Sequence, residues 1–193
     1  MANIHRFNPN RRRSPVQRNR RPHPRRRRRV RAGLLNFLAL CCIAVGWIAW
    51  EMYSPIATDF SGQARVIDGD TIDVAGRRVR LEGIDAPESR QQCSDGERRY
   101  SCGANATSAL YSLIAFTTVN CDDRGRDRYG RTLALCTAND VDVGRWMVRN
   151  GHALAYWRYS WRYGLDETLA RISSTGVWVG DFERPEDWRR MSR

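Results

Sequence analysis

From Ala32 to Trp50 the chain runs nineteen residues without a charged side chain, reading AGLLNFLALCCIAVGWIAW. In a helix rising about 1.5 Å per residue, that run reaches roughly 28 Å, close to the hydrocarbon thickness of a bilayer. Arg31 closes one end and Glu51 the other. Trp47, Trp50 and Tyr53 stand where an interfacial aromatic belt would sit. Such a run divides whatever lies on either side of it. The expected organisation is a tail over 1–31, a transmembrane anchor over 32–50, a linker over 51–61, one folded domain over 62–180 and a C-terminal extension over 181–193. A buried core helix and a cleaved signal peptide are the alternatives. Against cleavage, the run is longer than a usual signal h-region and begins late. No small-x-small site follows it in Glu51-Met52-Tyr53-Ser54-Pro55-Ile56-Ala57 either.

Charge follows the same division. The 193 residues carry a formal net charge of +12, and every one of the 33 basic residues is arginine. Residues 1–50 hold 13 arginines and no acid, whereas residues 51–193 carry −1. A segment of Arg, Pro and Asn cannot bury a core, so residues 1–31 are expected to be disordered. The positive-inside rule then places this tail in the cytoplasm. Residues 51–193 would face the periplasm or cell exterior from a plasma (inner) membrane, crossed once. The tail reads as a topology signal that touches anionic lipid head groups, or as a nucleic-acid-binding arm.

Composition excludes several chemistries. Without lysine there is no Walker A loop and no Schiff-base residue. His152 is the one histidine beyond the tail, which leaves little for a His-rich zinc site or a Ser-His-Asp triad. An enzyme built on this chain must work through carboxylates and arginines. Outside the apolar run stand Cys93, Cys102, Cys121 and Cys136, none spaced as C-x-x-C. In an exported domain four cysteines allow three pairings. The expected one joins Cys93 to Cys102 across a short polar loop and Cys121 to Cys136 across a hairpin-like segment, with free buried thiols as the alternative.

From Gln63 the pattern alternates at near period two: Ala64 and Val66, Ile72 and Val74, then Val79, Leu81 and Ile84. Ala75-Gly76-Arg77 reads as a turn, and Pro87 ends the third run. Asn105–Phe116, Val143–Asn150 and Asp166–Ser173 read as helices, the second stopped by Gly151. Thr117–Cys121 and Thr132–Thr137 read as strands around a polar loop over 122–131. The expected fold is α+β, a five-stranded OB-type β-barrel packed with about three α-helices.

Three segments concentrate charge beside apolar strands: Val66-Ile67-Asp68-Gly69-Asp70-Thr71, Val79-Arg80-Leu81-Glu82-Gly83-Ile84-Asp85-Ala86-Pro87-Glu88, and Asp127-Arg128-Tyr129-Gly130-Arg131-Thr132-Leu133-Ala134. In this order and spacing they resemble the staphylococcal nuclease (thermonuclease) family over about residues 62–180. The resemblance implies Ca²⁺ held by Asp70, Asp85 and the backbone carbonyl of Ala86, where the family's usual threonine is absent. It implies Glu88 as the group that orients or activates water, and Arg80 and Arg131 as the phosphate grip. Tyr156 or Tyr159 would line the nucleotide pocket.

Elementary chemistry runs the same way. A phosphodiester gathers negative charge on its way to a pentacovalent transition state, and forked guanidinium donors match its oxygens. Carboxylate and carbonyl oxygens suit Ca²⁺ better than zinc. A nearby carboxylate can act as general base. Each residue also has a plainer reading: Asp68 as a turn, Arg80 as a surface ion pair, Arg131 paired with Asp127. Together they make the expected function a membrane-anchored, calcium-dependent nuclease acting on DNA and/or RNA with little sequence preference. The alternative is a non-catalytic nucleic-acid-binding or interaction module on the same barrel.

Overall fold

The computed structural model describes residues 25–192, with side chains from Leu35 onward. Most of the tail expected to be disordered, residues 1–24, lies outside the described residues. In chain order the elements are α1 (Arg25–Tyr53), β1 (Phe60–Asp68), β2 (Thr71–Val74), β3 (Arg77–Leu81), β4 (Ile84–Asp85), β5 (Cys93–Asp95), β6 (Arg98–Tyr100), α2 (Cys102–Ile114), β7 (Thr118–Arg126), β8 (Thr132–Ala138), β9 (Val141–Asp142), α3 (Val143–Arg149), β10 (Leu154–Ala155), α4 (Gly164–Ile172), a 3₁₀ turn (Gly176–Val179) and α5 (Pro185–Met191).

Part of the tail expected to be disordered is helical instead. α1 begins at Arg25 rather than Ala32, so residues 25–31 are helical and not part of a coil. Within it, Leu35–Tyr53 is long and apolar enough to cross a membrane, with mean hydropathy 1.7 and none of that stretch buried. Cys41 and Cys42 are exposed, unpaired thiols on this helix. The chain divides into two compact units, one ending at Ile43 and one running from Ala44.

Inside the second unit, arginines receive the last carbonyls of α1. Arg162 Nη2 donates to the Ser54 carbonyl at 2.9 Å, its Nη1 to the Glu51 carbonyl at 3.4 Å, and Arg145 Nη2 to the Met52 carbonyl. These are the acceptors that a helix end leaves without intrahelical partners, and cations suit the negative end of its dipole.

The barrel is a five-stranded sheet closed on itself, in which the chain crosses from β3 to lay β7 beside β1. β1 pairs antiparallel with β2 and β7, β2 with β3, and β7 with β8. β8 then pairs parallel with β3, Arg80 facing Leu133, and this seam closes the sheet. Alternation decides which side chains fill the interior: Ile72, Val74, Val79 and Leu81 point in, as period two requires. Leu110 and Ile114 from one face of α2, with Met147 and Val148 from α3, cap the same core.

Two expected elements change shape. The run from Val79 to Ile84 is two strands, because Gly83 takes a left-handed conformation (φ 79°) that a continuing strand does not allow. The chain turns there, and Ile84–Asp85 pairs with Leu154–Ala155 in a separate small sheet. The loop expected over 122–131 is mostly strand: β7 continues to Arg126 through a bulge between Asp123 and Gly125, leaving only 127–131 as the turn. The three expected helices correspond to α2, α3 and α4, while α5 arises in the extension, where no element was expected. Both expected disulfides are present, Cys93–Cys102 and Cys121–Cys136.

Candidate active site

The first two charged segments meet where the β1–β2 turn, the end of β3 and β4 come together, and the third, on the β7–β8 turn, lines the same cavity. Asp68 does what a turn residue does: its carboxylate accepts the Asp70 N–H at 3.1 Å and bends the chain. Asp70 is thereby turned inward, where it is 5% exposed, and Asp85, fixed by β4, is 3% exposed. Arg80 on β3 bridges them. Its Nη1 donates to Asp70 at 2.8 Å and its Nη2 to Asp85 at 3.0 Å. Asp70 also accepts from Thr71 Oγ1 at 3.0 Å and from the Ala86 N–H at 3.2 Å.

Burial pushes the Asp70 carboxyl up to about 7, against the pull of Arg80, and Asp68 and Asp85 push the same way. Burial raises Asp85 too, outweighing Arg189 and Arg80. Desolvation wins at both because two carboxylates lie out of water close to each other. Added positive charge would hold both ionised, and their hard oxygens match what Ca²⁺ accepts alongside backbone carbonyl and water. Asp70, Asp85 and Ala86 are therefore chemically suited to a Ca²⁺ ion. Among the described residues no group of three or more His, Cys, Asp or Glu side chains forms a ready-made cage.

Glu88 follows Pro87 on the same wall, its backbone N–H donating to the fully buried Gln91 at 3.1 Å. Arg131 stands across the cavity on the β7–β8 turn. Its Nε donates to Asp127 at 2.7 Å and its backbone N–H to the same side chain at 2.9 Å. Burial nudges Asp127 upward, but the Arg131 side chain and the N–H groups of Arg131 and Tyr129 outweigh it and hold the carboxyl below its ordinary value. The two terminal amino groups of Arg131 have no hydrogen-bond partner among the described residues. Asp70, Arg80, Ala86, Glu88 and Arg131 line one cavity of about 1010 Å³. Tyr156 and Tyr159 line it as well, their rings 4.8 Å apart between centroids.

Two contributors were not expected from the sequence. Arg189 on α5 reaches the carboxylate wall: its Nη1 donates to Glu88 at 2.7 Å and its Nη2 to both oxygens of Asp85 at 3.0 Å. Local signals for α5 exist, with proline at its start, Glu186 and Asp187 in the first turn and Arg189 and Arg190 in the last. Nothing local says where Arg189 points. The second is Glu167 on α4, 1% exposed, which accepts from the Ala155 N–H, from Trp157 Nε1 and from Arg171. It holds β10, and through the β10–β4 pair it supports Asp85.

A family model described as "Staphylococcal nuclease homologue" matches residues 78–178. The chain is similar to a protein of Rhizobium meliloti (strain 1021) named "Succinoglycan biosynthesis protein ExoI", at 42% identity over 123 residues, or 61% of this chain and 63% of that protein. It is 36% identical over 143 residues to an "Uncharacterized endonuclease" of Escherichia coli O157:H7, covering 69% of this chain and 88% of the relative. Against a "Micrococcal nuclease" of Shigella flexneri the identity is 34% over 161 residues, 72% of this chain and 86% of the relative.

Proposed function

Because the chain belongs to the staphylococcal nuclease family, we propose that it is a calcium-dependent phosphodiester hydrolase cutting DNA and/or RNA with little sequence preference. One observation carries the reading. Asp70, bridged through Arg80 to the buried Asp85, shares a cavity with Glu88 and with an arginine, Arg131, whose terminal amino groups have no hydrogen-bond partner among the described residues. Nuclease and endonuclease relatives support the hydrolytic activity.

Ca²⁺ held by Asp70, Asp85 and the Ala86 carbonyl would supply charge neutralisation and polarise the phosphoryl oxygen. Glu88 takes the proton from the attacking water as the water oxygen bonds to phosphorus and the opposite P–O ester bond breaks, the leaving oxygen taking its proton from solvent. Arg80 uses one N–H of each terminal nitrogen on the carboxylates, so its remaining N–H groups can donate to a non-bridging phosphate oxygen. Arg131 donates from the opposite side with both terminal amino groups, where negative charge grows in the transition state. Tyr156 and Tyr159 offer faces for a base or sugar. α1 anchors the domain as a single span of the plasma membrane. The arginine-rich tail lies in the cytoplasm against anionic lipid, and the barrel in the periplasm or outside the cell.

The full-length protein in detergent is expected to digest nucleic acid with added Ca²⁺ and to stop in excess chelator. Equal activity in chelator would overturn the calcium assignment. Glu88→Gln is expected to lose most activity with its unfolding curve unchanged, and a fully active variant would remove Glu88 from the mechanism.

A further inference from the structure

The C-terminal segment is built into the wall of the site rather than trailing from it. Asp181 and Ser94 exchange backbone hydrogen bonds at 2.9 and 3.0 Å. Gly180 lies so close that a Cβ there would stand 2.1 Å from the Ser94 carbonyl oxygen, so only glycine fits. Two residues after Asp181, the Glu183 carbonyl accepts from the buried Gln91 at 2.7 Å, and Gln91 also receives the Glu88 N–H. Pro185 is buried and starts α5. One side chain thus ties the Glu88 turn to the base of α5, and one turn later Arg189 faces Asp85 and Glu88.

The contacts of Arg189 are specific. Asp85 Oδ1 is shared between Arg80 and Arg189, but Oδ2 has Arg189 as its hydrogen-bond partner among the described residues. Glu88 Oε1 is taken by the other arm of the same guanidinium. A divalent cation on Asp85, and a water on Glu88, need those oxygens. The neighbouring Arg190 turns away, to Glu186 and Asp187 on its own helix.

We propose that α5 is an internal competitor for the divalent cation: Arg189 docks in the cation's place on Asp85 and holds Glu88, and metal binding requires it to leave. This rests on the function proposed above. A forked guanidinium on two carboxylates substitutes for the charge of an ion but cannot polarise a phosphoryl oxygen as a Lewis acid. The docked chain is therefore an off state that calcium concentration can open. The anchorage at Asp181 and Glu183 stays put, so release is confined to the turn and a half of helix beyond Pro185.

Calcium titration calorimetry on the full-length protein in detergent tests this. Removing the competitor with Arg189→Gln is expected to lower the Ca²⁺ Kd about tenfold, equivalent to about 1.4 kcal/mol. Arg190→Gln should leave Kd unchanged. A chain ending at Glu183 should match Arg189→Gln, which guards against a folding defect in either variant. In the wild-type chain Ca²⁺ should speed trypsin cleavage within α5. If Arg189→Gln binds Ca²⁺ no more tightly than wild type while cutting more slowly, Arg189 grips substrate and the competitor idea is wrong. If wild type and both altered chains all fail to bind Ca²⁺, the proposed function itself falls, and the competition with it.

Discussion

Arg80 and Arg131 are the same residue type on two walls of one cavity, and the fold treats them in opposite ways. Arg80 lies on the barrel seam with its side chain 15% exposed and both terminal nitrogens committed to carboxylates on separate elements. Arg131 lies on a hairpin turn, its side chain held through Nε by a carboxylate four residues before it. The carboxylates differ as well: burial raises Asp70 and Asp85, whereas local donors lower Asp127. One wall is a preformed, charge-dense cradle whose arginine bridges two buried carboxylates. The other is a locally folded arm that presents a guanidinium and contributes little to holding the barrel together.

Replacing each arginine separates these roles. Arg80→Ala removes the bridge between buried carboxylates, and breaking such a pair costs about 3 kcal/mol or more. It should abolish cleavage and lower the urea midpoint together; a midpoint shift worth under about 1 kcal/mol would show that the cradle is not structural. Arg131→Ala should slow cleavage about 10²–10³-fold, as loss of a transition-state donor does. Its unfolding free energy should change by under about 1 kcal/mol. Comparable destabilisation by the two variants would erase the distinction.

The Cys121–Cys136 bridge, with a sequence separation of 15, staples the two strands that carry the Arg131 turn. Replacing both cysteines by alanine should cost about 3 kcal/mol, the amount expected for a loop of that length. Calcium affinity at the opposite wall should stay the same, and a weaker isotherm would mean that the walls are coupled. The smallest effect is in acid. Asp127 is depressed in the folded state, so its contribution to hairpin stability is whole above the ordinary value of 3.8 and fades as pH falls through the folded value. An NMR titration should find its carboxyl below 3.8, and a midpoint at or above that value would contradict the hairpin geometry.

What could be read from the sequence follows the range of the interactions. Asp70, Arg80, Asp85, Glu88 and Arg131 lie in short motifs whose turns and strands are locally encoded, and the structure brings all five to one cavity or its wall. The Arg131–Asp127 pair was among the plainer readings, and it proves compatible with a free guanidinium face. Arg189 was invisible because its partners are about a hundred residues away and its own neighbourhood reads only as a charged helix end. Glu167 was hidden for a related reason. It reads as a helix surface acid until β10 and Trp157 fold over it. The break of the third run after Leu81 had local cues in Gly83 and in the slip of the apolar pattern between Leu81 and Ile84, which a reading at near period two passes over.

The parallel seam between β3 and β8 has a consequence for when the carboxylate cradle is assembled. Parallel pairing cannot be made by a tight turn; here it waits until β1, β2 and β7 have brought distant strands together. Pairings distant in sequence form slowly, since loop closure comes before any reward. Arg80 sits on that seam, facing Leu133, so the bridge between Asp70 and Asp85 takes its final form only when the barrel shuts. A chain whose barrel has not yet closed carries Asp70, Arg80 and Asp85 without the bridge that joins them. The charge-dense cradle is thus timed by barrel closure, and strand order rather than local sequence decides when Asp70 and Asp85 gain their common partner.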